Sequence, residues 1–299
     1  MKIVVSGASG LVGTPLVERL TSEGHEVARL VRGKTSSKAA EIPWDPANNT
    51  LDAAPLEGTN AVVHLAGENI ASGRWTEAKK RRIRDSRIQG TRLLAETLAH
   101  CESPPTVFVS ASAIGFYGNR GDEILTEQSA PGEGFLPDVC REWEAAAEPA
   151  RQKGIRIVTP RIGVVISADG GALKKMLTPF SLGAGGCIGS GRQFMSWIAL
   201  DDLVSLIVHA IDDESLSGPI NTVAPNPVTN REFTKTLGAV LRRPTIFPIP
   251  ATFAKLAFGE LANDLLLGSQ RVEPARLIEN GFPFRFPELK GALRHVLGK

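Results

Sequence analysis

The chain has 299 residues, 42% of them hydrophobic, and a formal net charge of +2. That length allows one large domain or two modest ones with a real core, and the near-neutral balance gives no global reason to expect nucleic-acid or membrane binding. Cys101, Cys140 and Cys187 are too far apart and too few for a disulfide framework or a zinc site, and the five histidines are scattered, so no metal is expected.

A strand pattern begins at once, leaving no room for a signal peptide, and no apolar run is long enough to span a bilayer. A reducing, cytoplasmic setting is expected. Ile3, Val4 and Val5 form a short apolar run, which predicts a buried strand. Gly7, Gly10 and Gly13 follow at the spacing GxxGxxG, and from Thr14 the apolar positions Leu16, Val17 and Leu20 take a helical period. A strand, a glycine turn and a helix N-terminus make a cradle for a pyrophosphate: glycine keeps a Cβ out of the approach, and the helix end offers free N–H groups. Placed between a strand and a helix, the glycine spacing is a strong signal.

A helix over 14–23 stopped by Gly24 leads to a second strand over 25–31. An acidic residue at the end of that strand selects NAD by binding the ribose hydroxyls; here Arg32 stands there, with Arg29 and Lys34 nearby. An arginine suits a 2′-phosphate, so NADP(H) is favoured. A short strand is expected near 42–44 and a clear one over 61–65, ending in small residues that let a cofactor pass close to the backbone. His64, inside that strand, reads as a packed core or cofactor-wall histidine.

Residues 76–100 predict a long helix with a basic first half. With no aromatics and no net basic domain around it, this reads as a solvated helix face rather than a nucleic-acid surface. A strand over 106–110 runs into a hydroxyl-bearing segment, then a polar loop over 119–134 and a helix over 137–151. Another strand lies within 155–166, interrupted at Pro160-Arg161. The alternation implies a doubly wound parallel α/β sheet. Beyond it come a glycine-dense loop over 183–193 that looks built to close over a ligand, a helix over 201–211 whose Asp201 or Asp202 suits an N-cap, a strand over 221–224, a helix over 230–242, a helix over 251–268 and a tail helix. Phe180, Phe194, Met195 and Trp197 fit either a partly apolar pocket or the core.

Gly7-Ala-Ser-Gly-Leu-Val-Gly13, His64-Leu-Ala-Gly67, the Ser112/Tyr117 segment and Ser196-Trp-Ile with Asp202 resemble an extended short-chain dehydrogenase/reductase. The run His64 to Ile70, Ser86-Arg87, Trp143-Glu144 with its alanines, Gly189 to Gln193 and the closing Phe286-Pro-Glu-Leu289 narrow the resemblance to an atypical epimerase-like family, over essentially the whole chain. The resemblance implies a Rossmann domain over 1–165 holding NADP(H), rejoined by a strand near 219–224, and a smaller α/β substrate lobe over 166–299. It also implies cofactor contacts from Gly7, Ser9, Gly10, Leu11, Val12, Gly13, Arg32, Leu65, Ala66, Gly67, Glu68, Arg87, Ser110, Ala111, Arg161 and Gly163. Arg87 stands where many relatives carry Asn, and is placed either to reach the cofactor's phosphates or to brace the site.

The chemistry of that superfamily rests on Tyr-x-x-x-Lys, in which the lysine tunes the tyrosine that moves the proton accompanying hydride transfer. This chain has one tyrosine, Tyr117, and Gly121 follows it four residues on. The helix that should carry the pair reads Pro137-Asp-Val-Cys-Arg-Glu-Trp-Glu144. Ser112 matches the serine that hydrogen-bonds a substrate carbonyl; Tyr117, Cys140 and Glu144 are further candidates for the missing acid/base, although a cysteine in an apolar helix is more often an inert thiol. Two readings stay open: an NADP(H)-dependent oxidoreductase or epimerase with a substitute proton donor and a small-molecule substrate, or an NADPH-binding sensor or scaffold without turnover. Substrate identity and oligomeric state leave no signature in the sequence.

Overall fold

A computed structural model describes residues 1–33 and 40–299, and Lys34 lies outside the described residues. The chain opens with β1 (Lys2–Ser6), α1 (Gly13–Ser22), β2 (Glu26–Val31), β3 (Glu41–Asp45), β4 (Thr50–Leu51), β5 (Ala61–His64) and the long α2 (Glu77–His100). It continues through β6 (Val107–Ser110), β7 (Ser112–Ala113), β8 (Ile124–Leu125), α3 (Phe135–Ala145), α4 (Glu148–Gln152) and β9 (Arg156–Ile162). The second half holds β10 (Val164–Ile166), α5 (Gly171–Ser181), β11 (Phe194–Met195), β12 (Trp197–Ala199), α6 (Leu200–Asp212), β13 (Gly218–Thr222) and β14 (Val228–Thr229). It closes with α7 (Asn230–Leu241), α8 (Ala251–Phe258), β15 (Arg271–Val272), α9 (Ala275–Glu279) and α10 (Leu289–Val296).

The main sheet runs β13-β9-β6-β5-β1-β2-β3-β4, with β7 also paired to β9. All its pairings are parallel except β3 with β4. Its central strands are buried on both faces, as a doubly wound sheet requires. Side chains alternate: Ile3, Val5, Val63 and Val109 pack with Leu16 and Leu20 of α1 and Leu203 and Ile207 of α6. Val4, Val62 and Phe108 pack the other way, against Leu94 and Leu98 of α2 and Ala150 of α4. Register Val4↔Ala28 and Val4↔Val62 holds β1 in the middle, so its carboxyl end, and the glycine turn after it, lie where crossovers leave in opposite directions. This is the crevice in which open α/β sheets bind ligands.

A separate core joins α5, α7 and α10 through Leu173, Phe180, Phe233, Leu237 and Leu293, around Trp197 of β12. Trp197 and Phe180 are therefore core residues. The chain crosses between the two packing units more than once, since α6 and β13 return to the main sheet.

Four local expectations change. The helix expected over 137–151 is two, α3 and α4, with Pro149 in the first turn of the second. The helix expected over 251–268 ends at Phe258 beside Gly259, whose φ is +63°, and one π turn, Ala262–Leu266, follows. The strand expected over 221–224 starts three residues earlier. Pro160 and Arg161 do not interrupt β9: β6 pairs with it only to Val158 and β7 takes over at Arg161, so Pro160 falls where that neighbour asks for no N–H. Among the described residues no helix is long and apolar enough to cross a membrane.

Candidate functional site

The turn after β1 is built as the glycine spacing implies, but its glycines do different work. Gly7 sits at φ +68°, and a Cβ there would lie 2.8 Å from the Ala66 nitrogen. A Cβ on Gly13 would lie 2.1 Å from the Gly7 carbonyl oxygen. These two let the turn fold on itself and press against the end of β5. Gly10 is exposed, and a Cβ there would meet only the Gly7 oxygen, at 3.1 Å. Its missing side chain keeps the space in front of the turn open. Ser9 is exposed beside it, while Val12 packs into the core and Leu11 lies under Gly170 of the second unit.

Behind Gly10 stands the N-terminus of α1. No side chain caps it, and Pro15 brings no N–H. An uncapped first turn carries partial positive charge and unsatisfied donors. A diphosphate fits this cradle, because the one glycine facing outward has room and the donors behind it have no other side-chain partner.

The rest of the rim comes from three strand ends. Arg32, exposed just past β2, makes no ion pair among the described residues. Ser6 holds the end of β5: its Oγ accepts from the Leu65 and Ala66 N–H groups at 3.2 and 3.4 Å and lies 2.5 Å from His64 Nδ1. Two donors on Ser6 Oγ assign the hydroxyl proton to His64 Nδ1 and leave the ring proton on Nε2, which is buried without a partner. His64 is fully buried between Trp44 and Phe108, and burial, with Arg87 nearby, pushes it down to about 3.

The Gly67-Glu68 segment is anchored from below. Arg87 donates through Nη1 to the Glu68 and Ile83 carbonyls, both at 3.1 Å, with its guanidinium over Trp143. A Cβ on Gly67 would meet that guanidinium at 3.4 Å, an ordinary contact, so the segment lies directly on Arg87. Buried Lys79, which sequence reasoning missed, donates to Glu68 Oε1 at 2.6 Å and Ser72 Oγ at 2.7 Å. That hydrogen bond holds the Glu68 carboxyl below the usual range. The basic run on α2 thus gives two inward cations, Lys79 and Arg87, whose spacing of eight places them on one helix face.

Ser110 and Ala111 lie buried behind this rim. Beyond them the candidate catalytic residues meet, though not in the expected arrangement. Ser112 is 2% exposed and donates to Glu144 Oε1 at 2.7 Å. Arg161 pairs with both oxygens of Glu144, each at 2.9 Å, and its guanidinium lies 3.5 Å above the Phe116 ring. Tyr117 is fully buried against Phe116; its hydroxyl donates to Asn221 Oδ1 at 2.6 Å and accepts from Arg161 Nη1 at 3.0 Å. Burial pushes it above its ordinary pKa. Of the candidates for the missing acid/base, Tyr117 is therefore packed beside Phe116 and closed to the crevice, and the Ser112 hydroxyl is engaged by Glu144. Arg161, within β9, is committed to this buried cluster.

Cys140 lies one helical turn before Glu144 on α3, the spacing of the missing tyrosine and lysine. Its thiol contacts the Ala113 carbonyl at 3.7 Å, and burial pushes it up to about 12. Gly163 is a packing glycine: a Cβ would lie 2.7 Å from the Ser196 oxygen. The glycine-dense loop over 183–193 is likewise packed down, with Gly186 against the Phe247 carbonyl and Gly185 against the Phe180 ring, so it is not a free closing loop. Asp202 caps no local turn; it is buried and accepts from the Arg285 and Phe286 N–H groups at 2.9 Å.

Residues 3–223 match the NAD dependent epimerase/dehydratase family, and residues 249–296 match a domain of unknown function, DUF1731. An epimerase family protein of Mycobacterium bovis is 42% identical over 294 residues, 98% of this chain and 97% of its own length. The crystal structure of the human epimerase family protein SDR39U1, isoform 2, with NADPH has a TM-score of 0.91 and 35% identity, covering all of both chains. A structure described as the nucleoside-diphosphate sugar epimerase from Corynebacterium glutamicum has a TM-score of 0.83 and 40% identity, covering all of this chain and 58% of that one.

Proposed function

Because the chain belongs to the NAD dependent epimerase/dehydratase family, we propose that it binds NADP(H) at the carboxyl ends of β1, β2 and β5 and acts as an oxidoreductase of the epimerase type. The observation that carries this reading is the open cradle at Gly10 in front of the uncapped α1 N-terminus. The NADPH in the human relative, alike over its full length, supports the same choice.

When bound, the nicotinamide would give or take a hydride. The protein's part is to hold and orient. The turn and the α1 N–H groups take the diphosphate. Arg32 receives the 2′-phosphate, where an acidic residue would repel it. Leu65, Ala66 and Gly67 form a close backbone wall, kept in place by Ser6, Lys79 and Arg87. The three free, dispersed cysteines suit a cytoplasmic setting.

Fluorescence titration with both reduced coenzymes tests the reading. NADPH should bind much more tightly than NADH; equal affinities, or none, overturn it. The second reading, an NADPH-binding sensor or scaffold, is favoured by one observation: neither the Tyr117 hydroxyl nor the Cys140 thiol is open to a substrate. Protein that binds NADPH and never transfers its hydride would support it.

A further inference from the structure

We propose that Glu144, held by Ser112 and Arg161, is the proton-carrying residue that replaces the absent tyrosine–lysine pair. This rests on the NADP(H) reading above. Three observations meet at this carboxylate. It stands on α3 one turn beyond Cys140, so the helix keeps the spacing of the usual pair while carrying a thiol and a carboxylate instead. It is also the open member of its cluster: its side chain is 16% exposed, against 4% for Arg161 and 2% for Ser112. Finally, it is oriented from two sides, by the Ser112 hydroxyl at 2.7 Å and by both ends of the Arg161 guanidinium fork. A bidentate pair fixes a carboxylate more firmly than a single contact.

Ser112 and Arg161 face each other in register on β7 and β9. They lie at the carboxyl ends of the strands, where the reactive end of a dinucleotide is found in this topology. The titratable and charged groups around Glu144 are Arg161 and Tyr117 from the sheet side and Cys140 on its own helix, with Arg87 of α2 packed on the neighbouring Trp143.

The step balances as follows. In oxidation, the O–H bond of a secondary alcohol breaks and its proton goes to a Glu144 oxygen. The C–H electron pair leaves as hydride to NADP⁺, the oxidant, and a carbonyl remains. In reduction, protonated Glu144 returns the proton to the carbonyl oxygen as NADPH supplies hydride. Ser112 and Arg161 are positioning residues and exchange no atoms with substrate.

The test uses the full chain with Glu144→Gln, Glu144→Asp and Ser112→Ala. Its first readout is the affinity for NADP⁺ relative to NADPH. Glu144→Gln removes a negative charge from the site, so positively charged NADP⁺ should weaken about tenfold relative to NADPH, while Glu144→Asp keeps the wild-type ratio. The second is NADPH oxidation with 9,10-phenanthrenequinone as hydride acceptor. Glu144→Gln should lose about a hundredfold or more in kcat, the scale of lost acid catalysis, with KM little changed and partial rescue in Glu144→Asp. An unchanged affinity ratio, an unchanged kcat, or wild-type protein that binds NADPH but leaves the quinone untouched would overturn the proposal with cofactor binding intact. Failure of wild type to bind NADPH would instead overturn the reading beneath it.

Discussion

Gly13 is pressed so closely on Gly7 that a methyl group on Gly13 would stand 2.1 Å from the Gly7 carbonyl oxygen, whereas Gly10 between them opens outward. The three glycines of one motif therefore fail in different ways when replaced. Gly13→Ala must move backbone and should destabilise the fold by about 1–3 kcal/mol, as overpacking does, which a urea melt will read. Gly10→Val should fold with a nearly unchanged midpoint and lose measurable NADPH binding. A Gly10→Val protein that still binds NADPH would show that the turn is not the phosphate cradle.

Arg32 sits past the end of β2 with its guanidinium exposed. Among the described residues it makes no ion pair, so Arg32→Ala should leave the melting temperature in place. Its loss should weaken NADPH about tenfold or more, on the scale of a lost charge-assisted phosphate contact, and leave NADH unaffected. Equal weakening of both coenzymes would count against a 2′-phosphate role.

The cofactor side of the site was legible in the sequence because it is local. Gly7, Gly10 and Gly13 lie within seven residues, and Arg32 follows a strand whose period is plain. The proton-handling side was not. Glu144, Arg161, Ser112 and Asn221 come from four elements and meet only through sheet order, β7 and β13 both lying on β9. Pro160 masked this further by suggesting a break where β9 runs through, since a proline penalty vanishes where the neighbouring strand changes. Lys79 was hidden by its setting in a basic run: a charge count cannot tell which lysine turns inward, and only the Glu68 carboxylate and the Ser72 hydroxyl show it.

Tyr117 bridges Arg161 and Asn221 inside the fold. Tyr117→Phe keeps the ring and leaves the Asn221 oxygen without its donor, which should cost about 1–3 kcal/mol of stability. NADPH affinity should stay within a few-fold of wild type. Unchanged stability together with at least a tenfold loss of hydride transfer would return Tyr117 to the role of proton donor.

His64 gives a pH dependence with a defined sign. Folded, its pKa is held down to about 3 by burial; unfolded, it returns to about 6.5. Above pH 6.5 neither state binds the proton and there is no penalty. As pH falls below 6.5 the unfolded chain takes up the proton and the folded one does not, so stability falls by about 1.4 kcal/mol per pH unit until pH nears 3. His64→Gln retains an acceptor for Ser6 but does not titrate. Between pH 7 and pH 5, wild type should lose about 2 kcal/mol more than His64→Gln, measured by urea unfolding at each pH. The difference between the two proteins isolates this group, because carboxylates titrating in the same range contribute equally to both. Parallel losses would mean that the imidazole is reached by solvent or protonated in the native state.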